Sequence, residues 1–498
     1  MKKLTDIHPL PHPEYDGELS AQRLTELFAR CGDFTARRVD PGLAGGAPVT
    51  VCWIDGLVSG GAVAETVLRP LTEAARGDAP TEERLKQLVR SGSVYAASVR
   101  ERTTLDEVVQ DLTHGCCALL FDSLGRALCF EVRSTQTRAV SEPTLEKSLK
   151  GAKDAFVEDL RPNTALVRRR LASPRLKVVE GCIGRKSATR VALLYLEDVA
   201  DPETVRELAR RLDAIDVDAL LATGVLEEAV TDAPRSPFPQ LIHTERPDRF
   251  AMHLSDGRIG LLVDGLPLGL LLPVTFAEFM KVTGDRSSNF LVSSTLSVLR
   301  YLAFFLGMFL PAIYVAMAMY HQEMIPARLL LSMIEAKQNV PFSTALEVLG
   351  MMISFTLLQE AGLRLPNPIG DTVSIIGALI VGQSAVEAEV VSPIAIIVVA
   401  TAGICCYTLP SQDMASAVRL SSFLALLSAA AAGLFGVGIF ACLLLWHLAG
   451  IDSFGRSYTA PLSEGRAGAL RRVLLRRPLS AVKLRDALLR SPDRRRRA

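Results

Sequence analysis

Between Ser343 and Ala361 the polar positions Ser343, Glu347, Gly350 and Ser354 recur at i, i+4, i+7 and i+11, which puts them on one face of a helix. The rest of that stretch is mostly apolar, and a polar group in hydrocarbon costs free energy unless it faces protein or water. A stripe with one carboxylate is suited to lining a pore, where a ring of carboxylates favours cations. The same pattern also fits a helix lying at a membrane interface with Glu347 toward water. Beyond a break at Pro366, Pro368 and Gly370, the residues Gln383, Ser384 and Glu387 form a second polar cluster, and Pro393 interrupts the next apolar run. Broken helices of this kind line cavities. A third arrangement makes Glu347, Asp371 and Glu387 an ion or proton relay in an alternating-access carrier, although no convincing inverted repeat accompanies it.

Catalytic chemistry finds less support. No GxSxG, HExxH or dinucleotide-binding fingerprint occurs, and the seven histidines are scattered, so neither an enzyme nor a cofactor is expected. GCIGRKS at 181–187 imitates a phosphate loop, but its glycines have the wrong spacing and a turn between strands fits better. His114 beside Cys116 and Cys117 lacks the further ligands of a metal site, and core packing is expected there. Arg168, Arg169 and Arg170, within RPNTALVRRRLASPRLK at 161–177, suit phosphate, lipid headgroups or nucleic acid, or else a charged helix face at a subdomain boundary. The nine cysteines form no CxxC pair and read as small apolar fillers in a reducing compartment.

The elements that position these residues follow from how charge is segregated along the 498 residues. Net charge is only +1, which argues against a globally basic nucleic-acid binder. Charged residues recur every few positions up to about Thr295, whereas Arg300 to Asp452 holds long uncharged stretches. A bilayer core needs roughly 20 apolar residues of helix. Tyr301 to Met319, Val390 to Gln412 and Leu420 to Ile451 meet that length or nearly so; Thr372 to Val386 is shorter, and Ser343 to Gln359 is interrupted by Glu347. From Glu464 onward, twelve Arg or Lys face three acidic residues, an excess that favours the cytoplasmic side. The start has no apolar run after its lysines, so it is not read as a secretory signal and the head stays in the cytoplasm too. Head and tail on one side require an even number of crossings, and four are expected, with one segment re-entrant or interfacial.

Before the apolar region, β-rich runs alternate with amphipathic ones, so the fold class is an α/β N-terminal cytoplasmic region of two subdomains followed by an all-α multi-span membrane bundle. The expected organisation is an extension over 1–48, a first subdomain over 49–150, a connecting helix over 151–175, a second subdomain over 176–295, the bundle over 296–451 and a basic tail over 452–498. Strands are expected at 49–56 and 188–196, a hairpin at 116–132, and helices near Ala62 to Glu73, over Lys153 to Leu171 and from Asp201-Pro202. The run Ile259 to Phe276 is apolar enough to imitate a span, but Asp264-Gly265 and Pro267 mark a hairpin turn.

At these residues the chain resembles the GerA family of endospore-forming bacteria: A subunits of nutrient germinant receptors and their relative in the spoVA operon. The resemblance runs from about Val49 to Leu424 and is carried by FVEDLRPNTALVRRRL (156–171), YLEDVADPETVRELARRLDAIDVD (195–218), SPFPQLIHTERPDRFAMHLSDGRIGLLVDG (236–265), LRYLAFFLGMFLPAIYVAMAMYHQEMIP (299–326) and LRLPNPIGDTVSIIGALIVGQSAVEAEVVSPIAIIVVA (363–400). It departs from the family at Lys150-Gly151-Ala152-Lys153, where a glycine-proline is usual, and at Asn367-Pro368. The resemblance implies a multi-pass protein of the inner spore membrane, surrounded by lipid and working with B and C receptor subunits. The B subunit would bind the nutrient, and the A subunit would oligomerise into a ligand-gated channel for monovalent cations; the alternatives to a channel are the ion-coupled carrier above and a non-conducting scaffold that assembles the partner subunits through its head. Nucleic acid has no part in that picture.

Overall fold

The apolar runs of the first half pair as strands, because each presents a continuous or alternating buried face. The computed structural model describes residues 15, 17–39, 49–69, 99–132, 143, 146, 151–364, 382–464, 468–476, 478 and 482–496. The chain forms two compact units, one of Met1–Val230, His243–Pro273 and Lys483–Ala498, the other of Thr231–Ile242 and Val274–Val482.

In the first unit, β1 (Phe34–Val39), β2 (Val49–Ile54), β3 (Val99–Arg102), β4 (Cys116–Phe121) and β5 (Arg126–Glu131) form a sheet in the order β1-β2-β4-β5-β3. Its pairings are antiparallel. The expected hairpin at 116–132 is present, registered from Cys116 opposite Glu131 to Phe121 opposite Arg126. Gly125 takes the left-handed conformation (φ +57°) that closes its turn. Helix α1 (Ala21–Leu27) precedes the sheet. Helix α2 (Leu105–Thr113) is capped by Thr104 Oγ1, which accepts from the Glu107 N–H, and it buries Leu105, Val108, Val109 and Leu112 as one apolar face.

The second sheet is built from β6 (Leu176–Ile183), β7 (Thr189–Leu196), β8 (Ile242–Thr244), β9 (Ile259–Val263) and β10 (Gly269–Leu272), ordered β6-β7-β9-β10-β8. The run that imitated a span is the antiparallel β9–β10 hairpin, with Gly269 opposite Leu262 and Leu272 opposite Ile259. Glycine is needed at 269 because a Cβ there would lie 2.6 Å from the Phe250 ring, which meets Phe156 edge-on at 5.4 Å. Helices α3 (Leu160–Arg170), α4 (Pro202–Asp213), α5 (Thr223–Val230) and α6 (Pro247–Asp256) complete this part. Helix α4 opens as expected, with Asp201 as its cap and Pro202 in its first turn.

Helix α3 is shorter than the stretch expected from Lys153. The preceding backbone is committed elsewhere: the Phe156 N–H donates to the Glu245 carbonyl (2.8 Å), and Val157 exchanges hydrogen bonds with the Asn163 side chain (2.8 and 2.6 Å). Asp159 then caps the helix. The helix expected near Ala62 begins as Gly60–Val63 and widens into a π-turn over Ala64–Leu68; its later residues lie outside the described set.

The second unit contains α7 (Phe290–Tyr320), α8 (Ala327–Lys337), α9 (Thr344–Arg364), α10 (Pro393–Tyr407) and α11 (Gln412–Ala449). Among the described residues, α7 and α11 are long and apolar enough to cross a bilayer, and α10 is a shorter apolar helix. Small residues let the helices approach: a Cβ on Gly307 of α7 would lie 3.1 Å from Cys406 Sγ of α10, and one on Gly403 would lie 2.6 Å from the Phe355 ring of α9.

These contacts also fix directions. Val315 clusters with Ala395 and Val399 while Gly307 meets Cys406, so α10 runs antiparallel to α7. Glu347 meets Ser392 while Phe355 meets Gly403, so α9 and α10 run parallel to each other. Helix α11 leaves helical geometry at Ala432 (φ −141°, ψ 19°) and Gly433 (φ 60°, ψ −144°), then doubles back. Before the break, Leu426 packs with Val315, and the Tyr320 hydroxyl donates to the Ala430 carbonyl (2.6 Å), so that half runs parallel to α7. After it, Gly433 lies beside Tyr320 and His321, and the Phe440 ring meets Phe309 at 6.1 Å, so the second half runs the opposite way. The 32-residue uncharged run is a helical hairpin rather than one rod.

Candidate functional site

The polar stripe lies on and just before α9. Ser343 precedes its first turn and is exposed, as are Gly350 and Ser354. Glu347 sits at the border of that stripe and the packed face of Thr344, Val348 and Met352, and its side chain turns inward: it is 3% exposed. One carboxylate oxygen accepts the Ser392 backbone N–H, and the other lies 3.1 Å from Lys337 Nζ in an ion pair whose angle makes no hydrogen bond. Lys337 also donates to the Thr344 hydroxyl.

Ser392 is the cap of α10, accepting from the Ala395 N–H (3.4 Å) ahead of Pro393, so the carboxylate also faces the positive end of a helix. The group therefore ties together the end of α8, the start of α9 and the start of α10. A buried carboxylate needs such partners, since an unpaired one would carry a large desolvation cost.

Of the second cluster, Gln383, Ser384 and Glu387 are exposed, and Gln383 Nε2 donates to Glu387 Oε1 (3.2 Å) one helical turn away. Nearby, Asn339 Nδ2 donates to Glu389 Oε1 (2.8 Å). Asp371 and the break at Pro366, Pro368 and Gly370 lie outside the described residues. Sequence reasoning passed over Lys337 and Ser392. The Ser-Pro pair at 392–393 is a helix-start signal that could have marked a place where a carboxylate finds N–H groups. Lys337 gave no comparable sign, because its contact with α9 depends on the turn between α8 and α9. At the opposite end of α9, Arg419 of α11 pairs with Gln359 and reaches Ser416 Oγ at 3.5 Å.

The motifs outside the bundle resolve into structural roles. In the 181–187 turn, Arg185, Lys186 and Ser187 donate their N–H groups to the carbonyls of Val217 and Asp218, at 2.8 to 3.2 Å. The donors a phosphate would take are thus already used. His114 Nδ1 lies 2.7 Å from the Gln110 carbonyl, and Cys116 and Cys117 are buried in β4. Burial pushes the Cys52 thiol up to about 12, and those of Cys117 and Cys129 higher still, so these sulfurs remain protonated fillers at neutral pH.

The basic stretch is the seam between the two sheets. Arg168, fully buried, grips Asp33 with Nε to Oδ2 at 2.6 Å and an end nitrogen to Oδ1 at 2.8 Å. Arg161 pairs with Glu180 (2.7 Å) and Asp55 (3.3 Å), and Arg170 pairs with Asp154. The charged boundary face is the reading that holds here.

An α/β unit of two antiparallel sheets, followed by helices long and apolar enough to cross a bilayer, is the build of a membrane protein with a polar head. The family profile described as Bacillus/Clostridium GerA spore germination protein matches residues 22–488. The chain belongs to that family. It is 35% identical over 457 residues to uncharacterized membrane protein YfkQ of Bacillus subtilis (strain 168), covering 92% of this chain and 88% of that one. It is 32% identical to spore germination protein KA of the same organism, over 92% of this chain and 81% of the relative. Spore germination protein A1, also from Bacillus subtilis (strain 168), is 36% identical over 72% and 74% of the two chains. Among solved structures, the N-terminal domain of the A subunit of the Bacillus megaterium spore germinant receptor GerK3 aligns with 53% of this chain and 98% of its own, at 28% identity and a TM-score of 0.42.

Proposed function

We propose that this chain is the A-type subunit of a spore germinant receptor, a multi-pass membrane protein without catalytic activity. It assembles with B and C subunits and with further copies of itself, and lets monovalent cations pass when nutrients are sensed. Family membership supports the receptor role.

The observation that carries the conducting role is the exposed row Ser343, Gly350 and Ser354 on the outside of an otherwise apolar bundle. In lipid such a row is costly, so it faces water or a neighbouring copy. Gln383, Ser384 and Glu387 extend the polar surface. Glu347 stands behind this row as an anchor of the wall, with its charge near the conducting path.

Among the described residues the two halves of α11 count as separate segments beside α7, α9 and α10, and this supports a multi-pass bundle with more segments than a single long span over Leu420 to Ile451 would give.

The test is cation flux through protein reconstituted with its partner subunits. Ser354→Leu is expected to cut flux several-fold while leaving assembly intact. Unchanged flux would take α9 out of the conducting wall.

A further inference from the structure

The α/β unit contains a cavity of about 280 Å³ between α1, the start of α2 and the β6–β7 edge, next to the seam held by Arg168. Its wall carries three cations, Arg23, Arg175 and Lys177, against one carboxylate, Glu197, with Leu105 and Tyr15 supplying an apolar side and a phenol. Lys177 is the unusual member, a lysine of β6 that is only 4% exposed. Its Nζ donates to the Leu27 carbonyl at 2.9 Å and lies 3.3 Å from Glu197 Oε2 in an ion pair, which leaves donor capacity for a further acceptor. The other two cations have counter-ions on the solvent side, Arg23 with Glu26 (3.0 Å) and Arg175 with Asp198 (3.2 Å), and both pairs are well exposed. Exposed pairs of this kind are held weakly and can be exchanged for a better acceptor.

A packed protein does not keep a lysine, two arginines and an empty volume together at a subdomain junction for stability alone, because a well-filled apolar seam would be more stable. Ligand sites favour such junctions, and this volume lies at the lower edge of the range for small-molecule pockets. We propose that the cavity binds a small oxyanion, a carboxylate or phosphate, whose charge is taken by Lys177 and Arg175 with Arg23 closing over it. Contacts from both subdomains make the bound ion a clamp on the seam. This site is independent of the conducting role proposed for the bundle.

The test uses the full-length protein in detergent, with thermal unfolding and titration calorimetry against inorganic phosphate and, separately, succinate, at constant ionic strength set by chloride. Saturable binding and a rise in unfolding temperature with either anion are expected. Phosphate alone would mark a tetrahedral ligand, and succinate alone a carboxylate. Arg23→Ala with Arg175→Ala, both at exposed positions that the fold tolerates, is expected to weaken binding at least tenfold. Arg185→Ala, on the distant β6–β7 turn, serves as the control and is expected to leave it unchanged. Absence of saturable binding by both anions, or equal binding by the double variant, would overturn the proposal.

Discussion

Glu347 is the residue at which pattern and environment diverge most usefully. Its spacing with Ser343, Gly350 and Ser354 was readable, because helical periodicity depends only on positions along the chain. Its inward turn was not, because Lys337 and Ser392 are brought to it by two separate turns of the bundle. Glu347→Gln retains an acceptor for the Ser392 N–H but removes the charge opposite Lys337. The expected loss of stability in detergent is about 1–3 kcal/mol, below the roughly 3–5 kcal/mol of a fully enclosed pair because Lys337 keeps some water. Adding Lys337→Met should restore much of it. A single variant as stable as wild type would mean that the pair holds nothing. Arg168 is the stronger case, since neither it nor Asp33 touches solvent. Arg168→Ala is expected to lower the unfolding free energy of the α/β unit by about 3–5 kcal/mol, read by chemical denaturation. The arginine cluster itself was visible in the sequence, but its partner lies 135 positions away.

Among the elements, the β9–β10 hairpin and the α11 hairpin make a contrasting pair. Asp264-Gly265 and Pro267 announced the first turn in residue types that turns require. The reversal in α11 lies within AAAAGLFGVG, where alanine favours helix and the glycines could equally serve close packing, so a single long span was the natural reading. Gly433 decides the matter through its backbone: its φ of 60° with ψ of −144° is a conformation close to exclusive to glycine, and a Cβ would stand 2.9 Å from the His321 ring. Gly433→Ala is therefore expected to cost upwards of about 1–3 kcal/mol, seen as a lower unfolding temperature. A variant with unchanged stability would argue for a continuous α11.

For the whole molecule, the division between charged head and apolar bundle was legible in composition, because water and hydrocarbon select different residues over hundreds of positions. What composition did not show was how the basic tail expected over 452–498 is held. Residues 483–496 fold onto the α/β unit. Arg485 donates to the Ser255 carbonyl (3.1 Å) and pairs with Asp493 (2.6 Å), Arg496 pairs with Asp256 (2.7 Å), and the Ser491 hydroxyl donates to the Val199 carbonyl. Leu489 is buried among them. Arg185, Arg494 and Glu323 are all exposed. Single cysteines at Arg185 and Arg494, in a background without native cysteine, should therefore react with a membrane-impermeant reagent from the same side of oriented vesicles, and one at Glu323 from the other. Labelling of the first two from opposite sides would refute an even number of crossings.

The docked end also sets an order of events during synthesis. Residues 483–496 leave the ribosome only after every helix of the bundle has been made, so the head cannot acquire this docked segment until the whole bundle exists. A chain interrupted within the bundle would present α6 with Ser255 and Asp256 uncovered. The finished head is thus a built-in record that translation has passed the bundle and reached residues 483–496.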